Sequence, residues 1–133
     1  MRRLGLIAGR GVFPFLVAEE ARAEGRAVYT AALSGEASAE IVKVSNKVQW
    51  VKLGELGKLA RFFKQETVHE AIMAGQVRKP EIFSGHVRPD LDMVKVLASL
   101  KNWKDETLLS AIAAYLEKQG IQFVLVRDLV RSS

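Results

Sequence analysis

A glycine-rich segment, Gly9–Pro14, directly follows a short apolar run near the start of the chain. Its sequence is Gly-Arg-Gly-Val-Phe-Pro, and it lies where a first strand would turn into a helix. Glycines at such a turn let the backbone approach a ligand closely. The N-terminus of the following helix offers free N–H groups and the positive end of its dipole to an anion. The segment predicts a phosphate or diphosphate site, although a lone Gly-x-Gly is equally compatible with a plain tight turn.

The same segment departs from the fingerprint of dinucleotide-binding proteins in two respects. Pro14 stands where that fingerprint has its third glycine. In addition, no acidic residue directly follows the second predicted strand to bind a ribose, and the nearest one is Glu36. A nicotinamide dinucleotide is therefore disfavoured as the ligand.

A second segment of interest, Met73–Pro80, begins in the fourth predicted strand and contains Gly75 and Arg78. An arginine at this place can form a charge-assisted pair with a phosphate group. The alternative is a basic loop that is simply solvated.

Acidic residues precede two of the predicted helices. Asp105 and Glu106 follow Lys104, and Asp90 and Asp92 stand before the preceding helix. Carboxylates in such positions can hold a divalent metal, but they more often cap a helix and complement its dipole. We therefore interpret these acids as helix caps first and as metal ligands second.

Other catalytic chemistries lack the residues they need. The chain has no cysteine, which excludes thiolate zinc sites and cysteine nucleophiles. His69 and His86 are isolated from each other. The segment Gly54–Lys58 is too short for a phosphate-binding loop, and Leu59 stands where serine or threonine is required. The residues alone indicate a phosphate-binding domain without a visible catalytic set.

The elements that position these residues alternate between strands and helices. Apolar runs predict strands over residues 4–8, 27–33, 48–53, 70–74 and 121–126. Helical spacing follows each of the first, third and fourth strands, and a short helix is one interpretation of residues 36–46. In the first helix, Phe13, Leu16, Val17 and Ala21 recur at this spacing and mark its apolar face. Residues 76–89 are interpreted as a long loop.

This alternation predicts an α/β fold: a Rossmann-like, three-layer domain with a mostly parallel five-stranded sheet that spans residues 1–133. Right-handed crossovers favour the strand order 3-2-1-4-5. Strands one and four are then neighbours at the topological switch point, where open α/β sheets bind ligands. The segments Gly9–Pro14 and Gly75–Arg78 should therefore converge.

Composition and charge limit the class of protein. The 133 residues are 49% hydrophobic and 26% charged, as in an ordinary globular domain. The net charge of +5 comes from interspersed basic and acidic residues rather than a basic cluster, so nucleic acid is disfavoured as a partner. No apolar run is long enough to cross a bilayer, and Arg2-Arg3 precedes too short a run for a signal peptide. A cytoplasmic location is expected.

Three motifs taken together resemble one family. They are Leu6–Pro14, Met73–Pro80 and Lys104–Leu109, and the segment Val48–Leu59 also matches. Their order and spacing resemble the N-terminal domain of the LpxI-type UDP-2,3-diacylglucosamine pyrophosphatases, and the resemblance covers nearly the whole chain. Gln76 departs from the family pattern, in which lysine is more frequent, and this weakens any role of that side chain toward phosphate.

The resemblance implies an activity. Members of this family hydrolyse the pyrophosphate of UDP-2,3-diacylglucosamine to UMP and lipid X, in lipid A biosynthesis. The reaction is implied to use water as nucleophile and magnesium or another divalent metal, which would bridge and neutralise phosphate oxygens. The acyl chains of this substrate imply an apolar groove in the protein. The resemblance is therefore also compatible with peripheral association with the inner membrane.

Family members are longer than this chain, and their second domain carries the essential catalytic acid and much of the lipid site. We therefore expect this polypeptide to be the nucleotide-binding half, inactive without that C-terminal domain, with metal ligands lying outside it. The UDP-diacylglucosamine substrate, the second domain and a homodimer are the partners considered. The candidate substrate-binding residues are Gly9, Arg10, Gly11, Phe13, Pro14, Gly75, Gln76, Val77, Arg78, Lys104 and Asp105.

Two alternatives stay open from the sequence. The first is a non-catalytic, Rossmann-like nucleotide-binding or protein-interaction domain, in which Phe83, Val87 and Trp103 contact a partner. The second is transfer of a nucleotide sugar, which would use the same binding site but lacks a visible transfer motif. Binding of UDP distinguishes a nucleotide site from an interaction domain.

Overall fold

Five parallel strands form one sheet in a computed structural model of the chain, which describes residues 2–77, 88–102 and 104–125. The strands are β1 (Arg3–Ala8), β2 (Ala27–Leu33), β3 (Lys47–Val51), β4 (Glu70–Ala74) and β5 (Gln122–Leu125). Their order across the sheet is β3-β2-β1-β4-β5, and every neighbouring pair is parallel. The predicted fold class and strand order are therefore confirmed.

Helices connect the strands and cover both faces of the sheet. They are α1 (Phe13–Ala23), α2 (Leu56–Gln65), α3 (Leu91–Ala98) and α4 (Asp105–Lys118), with a 3₁₀ helix at Ala39–Val44. The 3₁₀ helix lies within the segment for which a short helix was one interpretation. Most of the predicted loop 76–89 lies outside the described residues. Within the described ranges, no helix has the length and apolar character that crossing a membrane requires.

The third strand ends two residues earlier than the sequence predicts. The carboxylate of Glu55 accepts a hydrogen bond of 2.6 Å from the backbone N–H of Lys52. The N–H of Glu55 in turn donates to the carbonyl oxygen of Lys52, at 2.9 Å. These two bonds close a turn directly after Val51, so that Lys52 and Leu53 leave the sheet.

The central strand β1 supplies side chains to both faces of the sheet. Leu4 and Leu6 pack with α1 and the 3₁₀ helix, whereas Ile7 packs with α2 and α4 on the opposite face. Gly5 faces Phe63, which is fully buried, and a Cβ atom at Gly5 would lie 2.9 Å from that ring. The absence of a side chain at position 5 therefore makes room for the fully buried ring of Phe63.

The buried face of α1 differs from the sequence prediction. Pro14, Ala18 and Ala21 are buried, whereas Phe13 is 49% exposed and Leu16 is 54% exposed. Positions 14, 18 and 21 also recur at helical spacing, so periodicity alone permits either face. The small side chains let the helix lie close to the strands, and the prediction that Phe13 and Leu16 share the core face was wrong.

Candidate functional site

The loops that follow β1 and β4 meet at the carboxyl edge of the sheet. The backbone N–H of Gly9 donates to the carbonyl oxygen of Ala74 at 2.9 Å. Beyond them, Arg10 and Gln76 form an antiparallel bridge, with N–H to carbonyl distances of 2.7 and 2.9 Å. The expected convergence of the two loops is confirmed for the described residues, and Arg78 lies outside them.

Gly9 and Gly75 are required by the contact between these loops. A Cβ atom at Gly9 would lie 2.6 Å from the carbonyl oxygen of Gln76. Gly75 has a φ of +96°, and its Cβ would lie 2.7 Å from the carbonyl oxygen of Arg10. Both distances are shorter than any normal contact. The sequence interpretation assigned the glycine after β1 to ligand approach, but at Gly9 the close neighbour is the protein's own backbone.

Gly11 is the glycine of this loop that faces open space. Its φ of +101° disfavours any residue with a side chain, and nothing lies within 4 Å of the position that a Cβ would occupy. The chain passes directly from this residue to Val12, the N-cap of α1. A ligand can therefore approach the backbone at Gly11, at the very start of the helix.

The N-terminus of α1 has no neutralising group of its own. Its N-cap residue, Val12, makes no side-chain cap bond, no acidic residue lies in its first turn, and a proline occupies that turn. Pro14 has no N–H, and the N–H of Phe15 donates to the carbonyl oxygen of Val12 at 3.0 Å. The partial positive charge at this end therefore comes from the helix dipole rather than from a row of free N–H groups. Such an end favours an anion, and binding of a phosphate there stays a prediction from the sequence.

The guanidinium of Arg10 extends from the β1 loop to the loop after β2. Its Nε donates to Oε2 of Glu36 at 2.9 Å, and its Nη2 donates to the carbonyl oxygen of Gly35 at 3.1 Å. The Glu36 side chain is only 4% exposed, whereas that of Arg10 is 44% exposed. A basic side chain is thus presented beside Gly11 and is held from behind by a buried carboxylate.

This ion pair is not among the features predicted from the sequence. In the sequence, Glu36 is the acid nearest to the end of the second predicted strand and a poor match for a ribose-binding position. The signal was nevertheless present, because β1 and β2 are adjacent parallel strands. Residues that follow their carboxyl ends, here Arg10 and Glu36, meet at the same edge of the sheet.

The remaining candidate substrate-binding residues lie in the loop after β4 and at the start of α4. Gln76 is exposed and uses its backbone for the bridge, while Val77 is half-buried and packs against the core. Lys104 is the N-cap residue of α4, and its N–H donates to Oδ1 of Asn102 at 3.0 Å. The Asn102 side chain therefore bonds the N-cap residue of α4, which begins at Asp105, and the side chains of Asp105 and Glu106 lie outside those described.

Asp90 caps two helices at once. Its Oδ1 accepts from the N–H of Met93 in α3 at 2.9 Å, and its Oδ2 accepts from the N–H of Gly57 in α2 at 2.7 Å. The interpretation of Asp90 as a cap is confirmed. The N-terminus of α2, in the segment that superficially resembles a phosphate loop, is thereby occupied by a side chain of the protein itself.

Asp92 accepts a hydrogen bond from the hydroxyl of Tyr115 rather than from a helix N–H. Burial raises the pKa of Tyr115 well above its usual value, and the hydrogen bond to Asp92 and the negative charges of Asp92 and Asp90 act in the same direction. The nearby Arg61 opposes them. Asp92 therefore joins α3 to α4.

The described residues do not fit the divalent metal that the family resemblance implies. Among the described side chains, which do not include those of Asp105 and Glu106, no group of three or more acids or histidines is placed to hold one. Asp90 and Asp92, a pair considered as ligands from the sequence, accept hydrogen bonds from backbone N–H groups and a tyrosine. No chemical step is therefore assigned to a metal at this pair.

The apolar residues proposed for partner contact fall outside the structure described. Phe83, Val87 and Trp103 all lie in the ranges that are not described, as does His86. A different set of exposed apolar side chains lies beside the Gly11 turn: Val12 is 67% exposed, and Phe13 and Leu16 are about half exposed. Sequence periodicity assigned Phe13 and Leu16 to the apolar face of α1 and so did not identify them as a surface.

Comparison with known proteins agrees with this architecture. A family model described as the LpxI N-terminal domain matches residues 3–133. The UDP-2,3-diacylglucosamine pyrophosphatase LpxI of Caulobacter vibrioides is 34% identical over 125 residues, which cover 92% of this chain and 43% of that protein. The chain thus spans less than half the length of this curated relative. The match over almost the whole chain shows that this protein belongs to the LpxI N-terminal domain family.

Proposed function

We propose that this chain is the nucleotide-binding part of a UDP-2,3-diacylglucosamine pyrophosphatase, which hydrolyses UDP-2,3-diacylglucosamine to lipid X and UMP in lipid A biosynthesis. The observation that carries the proposal is the N-terminus of α1, which has no acid in its first turn and begins beside the open face of Gly11. Membership of the family and the name of the Caulobacter relative support the choice of substrate.

The diphosphate of the substrate would lie against the Gly11 turn. There the positive end of the α1 dipole favours an anion by about 0.3–1 kcal/mol for an exposed group. The guanidinium of Arg10 adds a second positive charge, already directed by Glu36. Both groups would bind the substrate and stabilise the negative charge that develops on phosphate oxygens as the pyrophosphate bond breaks.

Hydrolysis is proposed to need residues beyond those described. The divalent metal and the catalytic acid that the family resemblance implies are assigned to the second domain. Of the described acids, Asp90 caps α2 and α3, and Asp92 bonds α3 to α4. The 133-residue chain by itself is therefore expected to bind UDP without releasing UMP from the substrate.

A second candidate is an interaction domain without catalytic function. It is favoured by the exposed side chains of Val12, Phe13 and Leu16, which form an apolar surface on α1. This surface adjoins the proposed phosphate site. Binding of UDP itself therefore distinguishes a nucleotide-binding function from an interaction function.

A titration of the ¹⁵N-labelled chain with UDP, with and without Mg²⁺, tests the proposal. We expect amide shifts confined to Gly9–Leu16 and Gly75–Val77, because these backbone groups surround the Gly11 turn. Uridine at the same concentration is the control and should shift these signals far less. Absence of shifts at millimolar UDP in both conditions would contradict the proposal and favour the interaction domain.

A further inference from the structure

The buried carboxylate of Glu36 contributes to the candidate site without facing the solvent. It is 4% exposed, it lies three residues beyond the end of β2, and it accepts a hydrogen bond from Nε of Arg10, 26 residues earlier in the chain. We propose that Glu36 is a positioning residue, which orients the guanidinium of Arg10 so that its remaining N–H groups bind a phosphate oxygen of the ligand. This inference rests on the proposed function.

The hydrogen bonds of Arg10 support this assignment. A guanidinium has five N–H donors in a rigid planar fork. Two of them are engaged, one by Glu36 and one by the carbonyl oxygen of Gly35. Within the described contacts three donors remain, on a side chain that is 44% exposed. Because the fork is planar, fixing two of its donors fixes the direction of the other three.

The local charge is consistent with an anionic ligand. A carboxylate that is almost fully buried is costly unless it is paired, and Arg10 compensates its charge. The exposed surface of the pair is therefore cationic although the pair is neutral. The N-terminus of α1 presents a further partial positive charge after the same loop.

The pair also changes what the end of β2 can recognise. In dinucleotide-binding sites an acid near this position accepts hydrogen bonds from a ribose. Here the nearest acid beyond β2, Glu36, is buried and already bonded to Arg10. We infer that the group recognised at this end of β2 is a phosphate oxygen and not a sugar hydroxyl.

A second ion pair in the chain provides a matched control. Arg26 donates from Nη2 to Oε1 of Glu70 at 2.7 Å, and it joins the starts of β2 and β4 at the amino edge of the sheet. Glu36→Gln and Glu70→Gln remove the same charge and alter a pair of the same type. They differ in position, because the Arg10–Glu36 pair lies at the carboxyl edge of the sheet and the Arg26–Glu70 pair at the amino edge.

The test measures by calorimetry the affinity of the chain for inorganic pyrophosphate, UDP and uridine. The proteins compared are the wild type, the three single variants Glu36→Gln, Glu70→Gln and Arg10→Lys, and the Glu36→Gln/Arg10→Lys double variant. We expect Glu36→Gln to bind UDP and pyrophosphate roughly tenfold more weakly, as expected for a charge-assisted contact that is no longer directed. Uridine should be unaffected. Glu70→Gln should bind all three ligands as the wild type does.

The direction of the change in affinity for UDP and pyrophosphate distinguishes a positioning role of Glu36 from an effect of its charge alone. Removing a carboxylate near a phosphate raises the affinity for an anion if only the net charge matters. A positioning role predicts the opposite. Arg10→Lys keeps the positive charge but loses the fork, so it should weaken binding by a similar factor, and the double variant should be no weaker than either single one.

The outcomes distinguish this inference from the proposed function. If the wild type binds UDP and Glu36→Gln binds it equally well or more tightly, Glu36 is not a positioning residue and the proposed function stands. If the wild type binds neither UDP nor pyrophosphate, the proposed function fails, and the inference fails with it. Equal weakening by Glu36→Gln and Glu70→Gln would assign the effect to stability and would also overturn the inference.

Discussion

The backbone N–H of Gly57 donates to the carboxylate of Asp90 at 2.7 Å, across 33 residues of sequence. The same carboxylate caps α3 through Met93, so two helix N-termini share one side chain. This shared cap makes the N-terminus of α2 different from that of α1. The N-terminus of α2 is occupied by an internal anion. At α1 the N-cap residue Val12 makes no side-chain cap bond, and within the described residues no acid lies in the first turn.

Loss of the shared cap should destabilise the domain more than loss of a single cap. Asp90→Ala removes the acceptor of two helix N–H groups, and we expect it to lower the free energy of unfolding by about 2–3 kcal/mol. Asp90→Asn keeps one strong acceptor and should cost less. The single-cap control is Ser38→Ala, which removes only the bond to Glu40 N–H. Urea unfolding measures all three, and equal effects of Asp90→Ala and Ser38→Ala would contradict the shared cap.

A side chain at Gly11 should impair nucleotide binding specifically. Gly11→Ala and Gly25→Ala place a methyl group in open space at φ values of +101° and +84°, so their backbone strain is similar. They differ in location, because Gly11 precedes α1 and Gly25 follows it. We expect Gly11→Ala to weaken UDP binding about tenfold, or about 1.4 kcal/mol, and Gly25→Ala to leave it unchanged.

Calorimetric titration with UDP, together with the thermal midpoint of each variant, checks this pair. Equal affinities for UDP in the two variants would show that the ligand does not approach the backbone at position 11.

A side chain at Gly9 should affect stability first. The new Cβ in Gly9→Ala would lie 2.6 Å from the backbone oxygen of Gln76, and backbone cannot yield as a flexible side chain can. We expect a loss of about 3 kcal/mol in the free energy of unfolding. Gly120→Ala, at φ +85° in open space, is the control for strain alone and should cost about 1 kcal/mol. An unchanged urea midpoint in Gly9→Ala would mean that the two loops are not in contact.

The hydroxyl of Tyr115 should make the stability of the domain sensitive to alkaline pH. The raised pKa of Tyr115 means that the folded state holds the phenolic proton more tightly than the unfolded state does. The resulting stabilisation is fully present below the unfolded value of about 10 and is lost as pH rises above it.

Tyr115→Phe removes this proton and its bond to Asp92. We expect a cost of about 1 kcal/mol at neutral pH, because the hydroxyl is only partly buried. Above pH 10 the difference from the wild type should shrink. A constant difference between the two unfolding free energies from pH 7 to pH 11 would argue against the bond to Asp92.

The alternation of strands and helices was predictable from the sequence because it depends on local patterns. Residues 4–8, 27–33 and 70–74 are short, mostly apolar runs that are each followed by glycine or serine, and all three form strands at these positions, the first beginning at Arg3. Right-handed crossovers then restrict the order of the strands, so the convergence of the β1 and β4 loops was also predictable.

Contacts between elements were decided only by the tertiary structure. The helical spacing of α1 is compatible with either face, and the side chains around it determined that Ala18 is buried and Leu16 is not. The pairing of Arg10 with Glu36 and of Gly57 with Asp90 joins residues 26 and 33 positions apart. Periodicity describes one element at a time, whereas these bonds depend on where adjacent elements end relative to each other. The sequence by itself therefore determined which edge of the sheet carries the site, and the packing of the loops decided which side chains face a ligand there.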